Sequence, residues 1–182
     1  MSAAIAFWRA EHANFAHMLD LFDRKVAAFH QDAAPEYSIM LDIVDYLRHF
    51  PDRYHHRRED VAFACLARRD PALVPLVERL QTEHRQLAAA GDALRYLLEN
   101  ALEDAILPRK SIEAAAADYL VLYRQHIASE EISVMPHAIE LMTPADWEEV
   151  ARVVPQGIDP LFGAEAEEGY RELRRLIAMQ AG

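Results

Sequence analysis

The chain has 182 residues, five glycines, one cysteine and a formal net charge of −11. That length suits one domain with a full apolar core, and few glycines beside abundant Ala, Leu, Glu and Arg favour helix over sheet. The acidic balance excludes a phosphate-binding surface and hence a nucleic-acid partner, and a lone Cys65 excludes an intrachain disulfide and fits a reducing compartment.

The first helix is predicted over residues 3–30, where Ile5, Trp8, His12, Phe15, Leu19, Phe22, Val26 and Phe29 recur at alternating three- and four-residue steps. That is the apolar stripe of a bundle helix, with one histidine standing where a leucine belongs. A linker over Gln31 to Pro35 ends it. The second helix runs from about Glu36 to Arg69, with a bend or break expected at Phe50-Pro51-Asp52, because proline removes a backbone donor and restricts the residue before it. Its His55, Glu59, Ala62 and Leu66 share a face. Asp70-Pro71 reads as an N-cap followed by proline at the first helical position. It opens a third helix to about Leu102, whose seam is Leu73, Val77, Leu80, His84, Leu87, Gly91, Leu94 and Leu98.

Leu107-Pro108 opens the fourth helix, reaching about Met142, with Ile112, Tyr119, Leu122, His126 and Glu130 in period. Thr143-Pro144 with Asp146 starts a short fifth helix to about Val153, and Pro155, Gly157 and Pro160 mark a loop. The tail from Ala164 to Gln180 carries Tyr170, Leu173, Leu176 and Ile177 on one face, fit to cap the bundle or to form a homodimer contact. The expected fold is all-α: an up-down-up-down four-helix bundle over residues 1–142, with a C-terminal helical extension over 143–182 packed on it. No apolar stretch reaches the roughly 18 residues of a membrane span, and the opening MSAAIAFWRAEH lacks a basic region before a long apolar run. No membrane partner and a cytoplasmic location are therefore expected.

The core seams carry the chemistry. His12, His55 with Glu59, His84, and His126 with Glu130 are six polar groups in apolar faces, and each would be costly there unpaired. In an up-down bundle, residues equally far from a turn lie at equal height. His12 and His55 lie 21 and 22 residues either side of a turn near 33; His55 and His84 lie 15 and 14 either side of one near 70; His84 and His126 lie 22 and 20 either side of one near 106. All four histidines converge on one level. A residue and its i+4 neighbour project together, so each His/Glu pair can serve one ion or two adjacent ions. His56/Asp60 is an alternative pair on the second helix. His55/Glu59 is preferred because it mirrors His126/Glu130, which leaves His56, Asp60 and Glu131 as supporting or surface groups. Tyr119 and Tyr123 read as core filling, and His17, His30, His49 and His137 are assigned to the surface or to helix ends. Imidazole and carboxylate without thiolate suit iron, manganese or zinc, and six groups exceed the four that zinc usually takes.

The motifs EH at Glu11-His12, HHRRED from His55 to Asp60, EH at Glu83-His84 and HIASEEISVMP from His126 to Pro136 resemble the hemerythrin-like family, the HHE cation-binding domains. The resemblance spans about residues 5–140. It implies a four-helix bundle around a non-haem di-iron centre with an oxo or hydroxo bridge. His12 and His55 would hold one iron, His84 and His126 the other, and Glu59 and Glu130 would bridge them. Its implied partner is a small ligand: oxygen, peroxide or nitric oxide, bound by a sensor, store or stress-response protein. An oxidoreductase turning over peroxide or nitric oxide, and a metal-free helical interaction module, are the competing readings. The oxygen carriers of the family have a further histidine one turn before the position of His84. Leu80 stands there, which implies an exchangeable position on that iron.

Overall fold

A computed structural model describes residues 3–30, 35–103, 105–164 and 168–180. Residues 31–34 of the expected first linker, and 165–167 at the start of the tail, lie outside the described residues. Among those described there are helices and no strand.

Four rods form the bundle. The first is α1 (Ala3–His30). The second joins α2 (Tyr37–Phe50) and α3 (His56–Arg69) through a π-helical turn over Pro51–His55. The third is α4 (Val74–Leu102), entered through a 3₁₀ turn at Pro71–Leu73. The fourth joins α5 (Arg109–Ser129) and α6 (Met135–Leu141) through a second π-helical turn over Glu130–Val134. Two shorter helices follow, α7 (Pro144–Val153) and α8 (Arg171–Gln180).

The sequence signals act as their chemistry requires. The Asp70 carboxylate accepts from the Ala72 N–H at 2.9 Å, relieving one of the orphan donors that every helix start leaves open. At α7, the Asp146 carboxylate accepts from both the Thr143 backbone N–H (2.7 Å) and the Thr143 hydroxyl (2.6 Å). The whole expected seam of α4 is buried, His84 included. In α5 the seam is Ile112, Ala116, Tyr119, Leu120, Tyr123 and His126, and Leu122 is only half-buried. Gly91 lets α4 approach its neighbours: a Cβ there would lie 3.2 Å from Arg48 Cδ on α2 and 3.4 Å from the Tyr119 ring on α5.

The expected bend or break at Pro51 does not interrupt the second rod. The turn widens instead, so that the His56 N–H donates to the Pro51 carbonyl five residues back. The fourth rod, expected to run without interruption, widens likewise, with the Met135 N–H donating to the Glu130 carbonyl.

Two apolar clusters fill the bundle. One, around Phe15, Leu19, Phe22, Ile43, Leu47, Leu94 and Tyr119, occupies one end. The other, around Ile5, Trp8, Phe63, Leu66, Leu80 and Met135, occupies the opposite end. The predicted polar groups lie between them. Helix α7 packs on α3, with Trp147 edge-on to Trp8 at 5.4 Å between ring centroids. Helix α8 packs on α2, and its Leu173 is fully buried.

Candidate metal centre

The two wide turns are what aim the polar groups inward. In a regular α-helix adjacent side chains point about 100° apart, so an extra residue in a turn resets which of them face the core. The turn over Pro51–His55 adds a residue between them and the preceding helix, and both are buried, at 1 % and 4 % exposure. At the second wide turn, Glu130 is fully buried while Glu131 reaches sideways to α1.

Two groups of side chains result, each with its ligating atoms within 4.8 Å of one another: His12, His55, Glu59 and Glu130, and His56, Glu59, His84 and His126. The two carboxylates turn one oxygen to each group. Glu59 Oε1 lies 3.1 Å from His55 Nε2 and its Oε2 lies 3.6 Å from His84 Nε2. Glu130 Oε2 lies 3.3 Å from His12 Nε2, and its Oε1 lies 3.3 Å from both His84 Nε2 and His126 Nε2. All six residues singled out from sequence meet here. His56, set aside there, meets them, stacked on His84 at 4.3 Å between ring centroids. His17, His49 and His137 lie outside both groups, and the side chain of His30 is outside the described residues. Tyr123 donates to the Leu47 carbonyl at 3.4 Å, not to the cluster.

Each of the five imidazoles is held from behind. His55 Nδ1 meets Glu11 at 2.8 Å, His84 Nδ1 meets Asp60 at 3.1 Å, His126 Nδ1 meets Glu83 at 3.0 Å, and His12 Nδ1 meets Glu131 at 3.2 Å. His56 Nδ1 meets Asp52 on its own rod at 2.7 Å. The first four contacts close a ring. The first rod supports the second, the second the third, the third the fourth, and the fourth the first. Every supporting carboxylate in that ring sits directly beside a core group in sequence: Glu11 by His12, Asp60 by Glu59, Glu83 by His84, Glu131 by Glu130. That adjacency was the available signal. Sequence reasoning left Asp60 and Glu131 as supporting or surface groups and gave Glu11 and Glu83 no supporting role.

An ionised carboxylate only accepts, so each Nδ1 carries a proton and each Nε2 is the nitrogen left to face the centre. His12 Nε2 and His55 Nε2 face each other at 2.9 Å, a contact that needs either a proton between them or a cation beside them. Fully buried Glu59 Oε2, Glu130 Oε2 and His126 Nε2 have no hydrogen-bond partner among the described residues. The electrostatics make the same demand. Burial alone would lower the His12 imidazole, but Glu130 and Glu59 outweigh it and lift it to about 10. Burial likewise opposes the proton on His84, and Asp60, Glu130 and Glu59 raise it to about 12. Both Glu59 and Glu130 are held below the usual carboxylate range: burial opposes this, and the surrounding histidines outweigh it. His56 differs, because burial dominates the pull of Asp52 and drops it to about 4, leaving a neutral imidazole. Two buried carboxylates require positive charge: protons on His12 and His84 supply it in the metal-free chain, and metal ions bound through the Nε2 atoms would displace them. The donor set fits a pair of metal ions of the imidazole- and oxygen-preferring class.

An all-α bundle with a polar layer of histidines and two shared carboxylates is a metal-binding helical bundle in its geometry. The chain belongs to the hemerythrin HHE cation-binding domain family, whose model matches residues 3–138. No curated protein and no solved structure gives a significant match. No helix among the described residues is long and apolar enough to cross a membrane.

Proposed function

We propose that the protein holds two iron ions and binds or reacts with a small ligand such as oxygen, peroxide or nitric oxide. His12 and His55 would hold one ion, His56, His84 and His126 the other, and Glu59 and Glu130 would bridge the two. The observation that carries this reading is the set of five imidazoles, each pinned through Nδ1 to a carboxylate, with Nε2 facing two buried carboxylates. A bound ion pair would supply open coordination for a small ligand and the electrons to bind or reduce it.

The chain's own residues do the remainder. The Nδ1 contacts fix tautomer and ring orientation, which raises the donor strength of each Nε2. Phe15 sits edge-on to His55 at 5.0 Å and Phe63 stacks on His84 at 6.0 Å, closing the polar layer against water from both ends. Two imidazoles on one side against three on the other make the His12/His55 side the more open to an exogenous ligand. The reading places the protein in the cytoplasm, in keeping with free, buried Cys65.

A metal-free interaction module is disfavoured by the buried polar atoms that have no hydrogen-bond partner among the described residues. Elemental analysis of native protein, with its near-ultraviolet spectrum, tests the proposal. About two iron ions per chain and absorption from a bridged pair are expected. One ion per chain at full loading would reject the bridged pair. Turnover of peroxide or nitric oxide by the loaded protein separates an enzyme from a sensor or store.

A further inference from the structure

A second site lies behind the first. A cleft of about 370 Å³ opens between α1 and α7, walled by Phe7, Trp8, Trp147, Val150 and Val154. Its volume falls within the range of small-molecule sites, about 300–1,000 Å³. Arg58 is the one charged residue lining it, and only 5 % of Arg58 is exposed. The Nη2 of Arg58 donates to both oxygens of Glu11, at 2.5 and 2.7 Å. Its Nε and Nη1 have no hydrogen-bond partner among the described residues. Arg58 Cζ lies 5.2 Å from the centre of the Phe7 ring, and a ring face replaces only part of the hydration lost by two buried donors that make no hydrogen bond.

The local charge adds to this. Arg53 and Arg57, on the same rod as Arg58, line an adjoining cleft that shares Val154 and Gln156 with the first. Three arginines against Glu11 leave positive charge in excess here, in a chain whose net charge is −11. Aromatic and aliphatic walls around an arginine with spare donors match an apolar tail ending in a planar anion, since guanidinium pairs with carboxylate through short charge-assisted hydrogen bonds.

We propose that this cleft binds a small apolar monocarboxylate, its tail along Phe7, Trp147 and Val150 and its carboxylate on Arg58. The site stands apart from the metal reading, although Glu11 joins the two by accepting from Arg58 and from His55.

The chain's only two tryptophans both line the cleft, so their fluorescence reports on it directly. Octanoate is titrated into the protein, with octan-1-ol as its uncharged counterpart, in metal-loaded and in chelator-treated samples. Octanoate should give a saturable change in both samples and bind at least tenfold more tightly than octanol. Arg58→Gln should bring octanoate down to the octanol level. Ala151→Phe, which places a ring in the cleft from an exposed position of α7 and leaves Arg58 and Glu11 alone, should weaken octanoate at least tenfold. Should Arg58→Gln fail to fold, Ala151→Phe and the alcohol comparison still decide. The proposal is overturned by equal affinities for acid and alcohol, by an Ala151→Phe titration matching the parent, or by no saturable change at millimolar octanoate.

Discussion

His56 lies flat against His84, their rings 4.3 Å apart and 17° from parallel, so the second metal group contains three imidazoles. Leu80, one turn before His84, implied from sequence an exchangeable position on that ion. His56, arriving from the neighbouring rod, stands among the same donors. His56→Ala should therefore cost at least half the bound metal, as should His84→Ala. His137→Ala, outside both groups, should cost none. Metal content of the three purified variants decides, and full retention by His56→Ala would remove that residue from the ligand set.

Leu80 itself is fully buried among Val77, Phe63 and Met135. Leu80→His should lower stability by about 2–4 kcal/mol, through lost packing and a buried polar group, without raising metal content. Denaturant unfolding of the loaded protein, paired with metal analysis, measures both. A gain in bound metal would contradict it.

The supporting carboxylates should act on affinity and not on stoichiometry. Glu11→Gln and Asp60→Asn each remove the charge that orients a histidine, and changes of this type cost about 10–100-fold in metal affinity. Competition against a chromophoric chelator gives the number. Unchanged affinity in both variants would reduce the ring to incidental contacts.

Metal should stabilise the bundle by mass action. A ligand that binds only the folded state at a thousand times its dissociation constant adds about 4 kcal/mol. Calorimetric melting before and after chelation should show a fall of several degrees, restored when metal is added back. An unchanged melting temperature would detach the polar layer from the fold.

Asp146 links pH to stability at the far end of the molecule. Hydrogen bonding from Arg69 lowers its pKa from the ordinary 3.8 to about 2; burial opposes this, and hydrogen bonds from Thr143 add to the lowering. A depressed carboxylate contributes stability that is complete above its unfolded pKa and is lost as pH falls through its folded one. Asp146→Asn should thus be less stable than the parent at pH 6, and the difference should shrink between about pH 4 and 2. Because Arg69 is 40 % exposed, solvent screens the pair and the loss is expected to be modest. Denaturation midpoints at pH 6 and pH 2.5 test it. A gap that does not change with pH would assign the effect to packing.

How far the sequence could be read follows from what each feature depends on. The seam of α4 was legible throughout, because its residues obey a single uninterrupted period. Convergence of the histidines was legible from distances to turns. The wide turns were not: each shifts the period by a single residue, too small a mark to separate from an irregular seam, and the choice between His55 and His56 therefore stayed open. At Pro51 the sequence offered only a conflict with α-helical hydrogen bonding, and a bend or break resolves that conflict as well as a wide turn does. Arg58 was missed for a different reason: its burial is created by α7 and by Phe7, neither of which is near it in the chain.

The ring of supporting carboxylates also sets an order of assembly. Its first three contacts join residues 44, 24 and 43 positions apart, while the contact from Glu131 to His12 spans 119. The shorter ones can form as each rod follows the last, but the closing one must wait for the final rod to return to the first, and long loops close late. Glu130 arrives with that same segment. A chain still being synthesised therefore carries His55 and His84 already oriented but only one of the two shared carboxylates, and on the proposed reading tight capture of a metal pair would mark a finished fold.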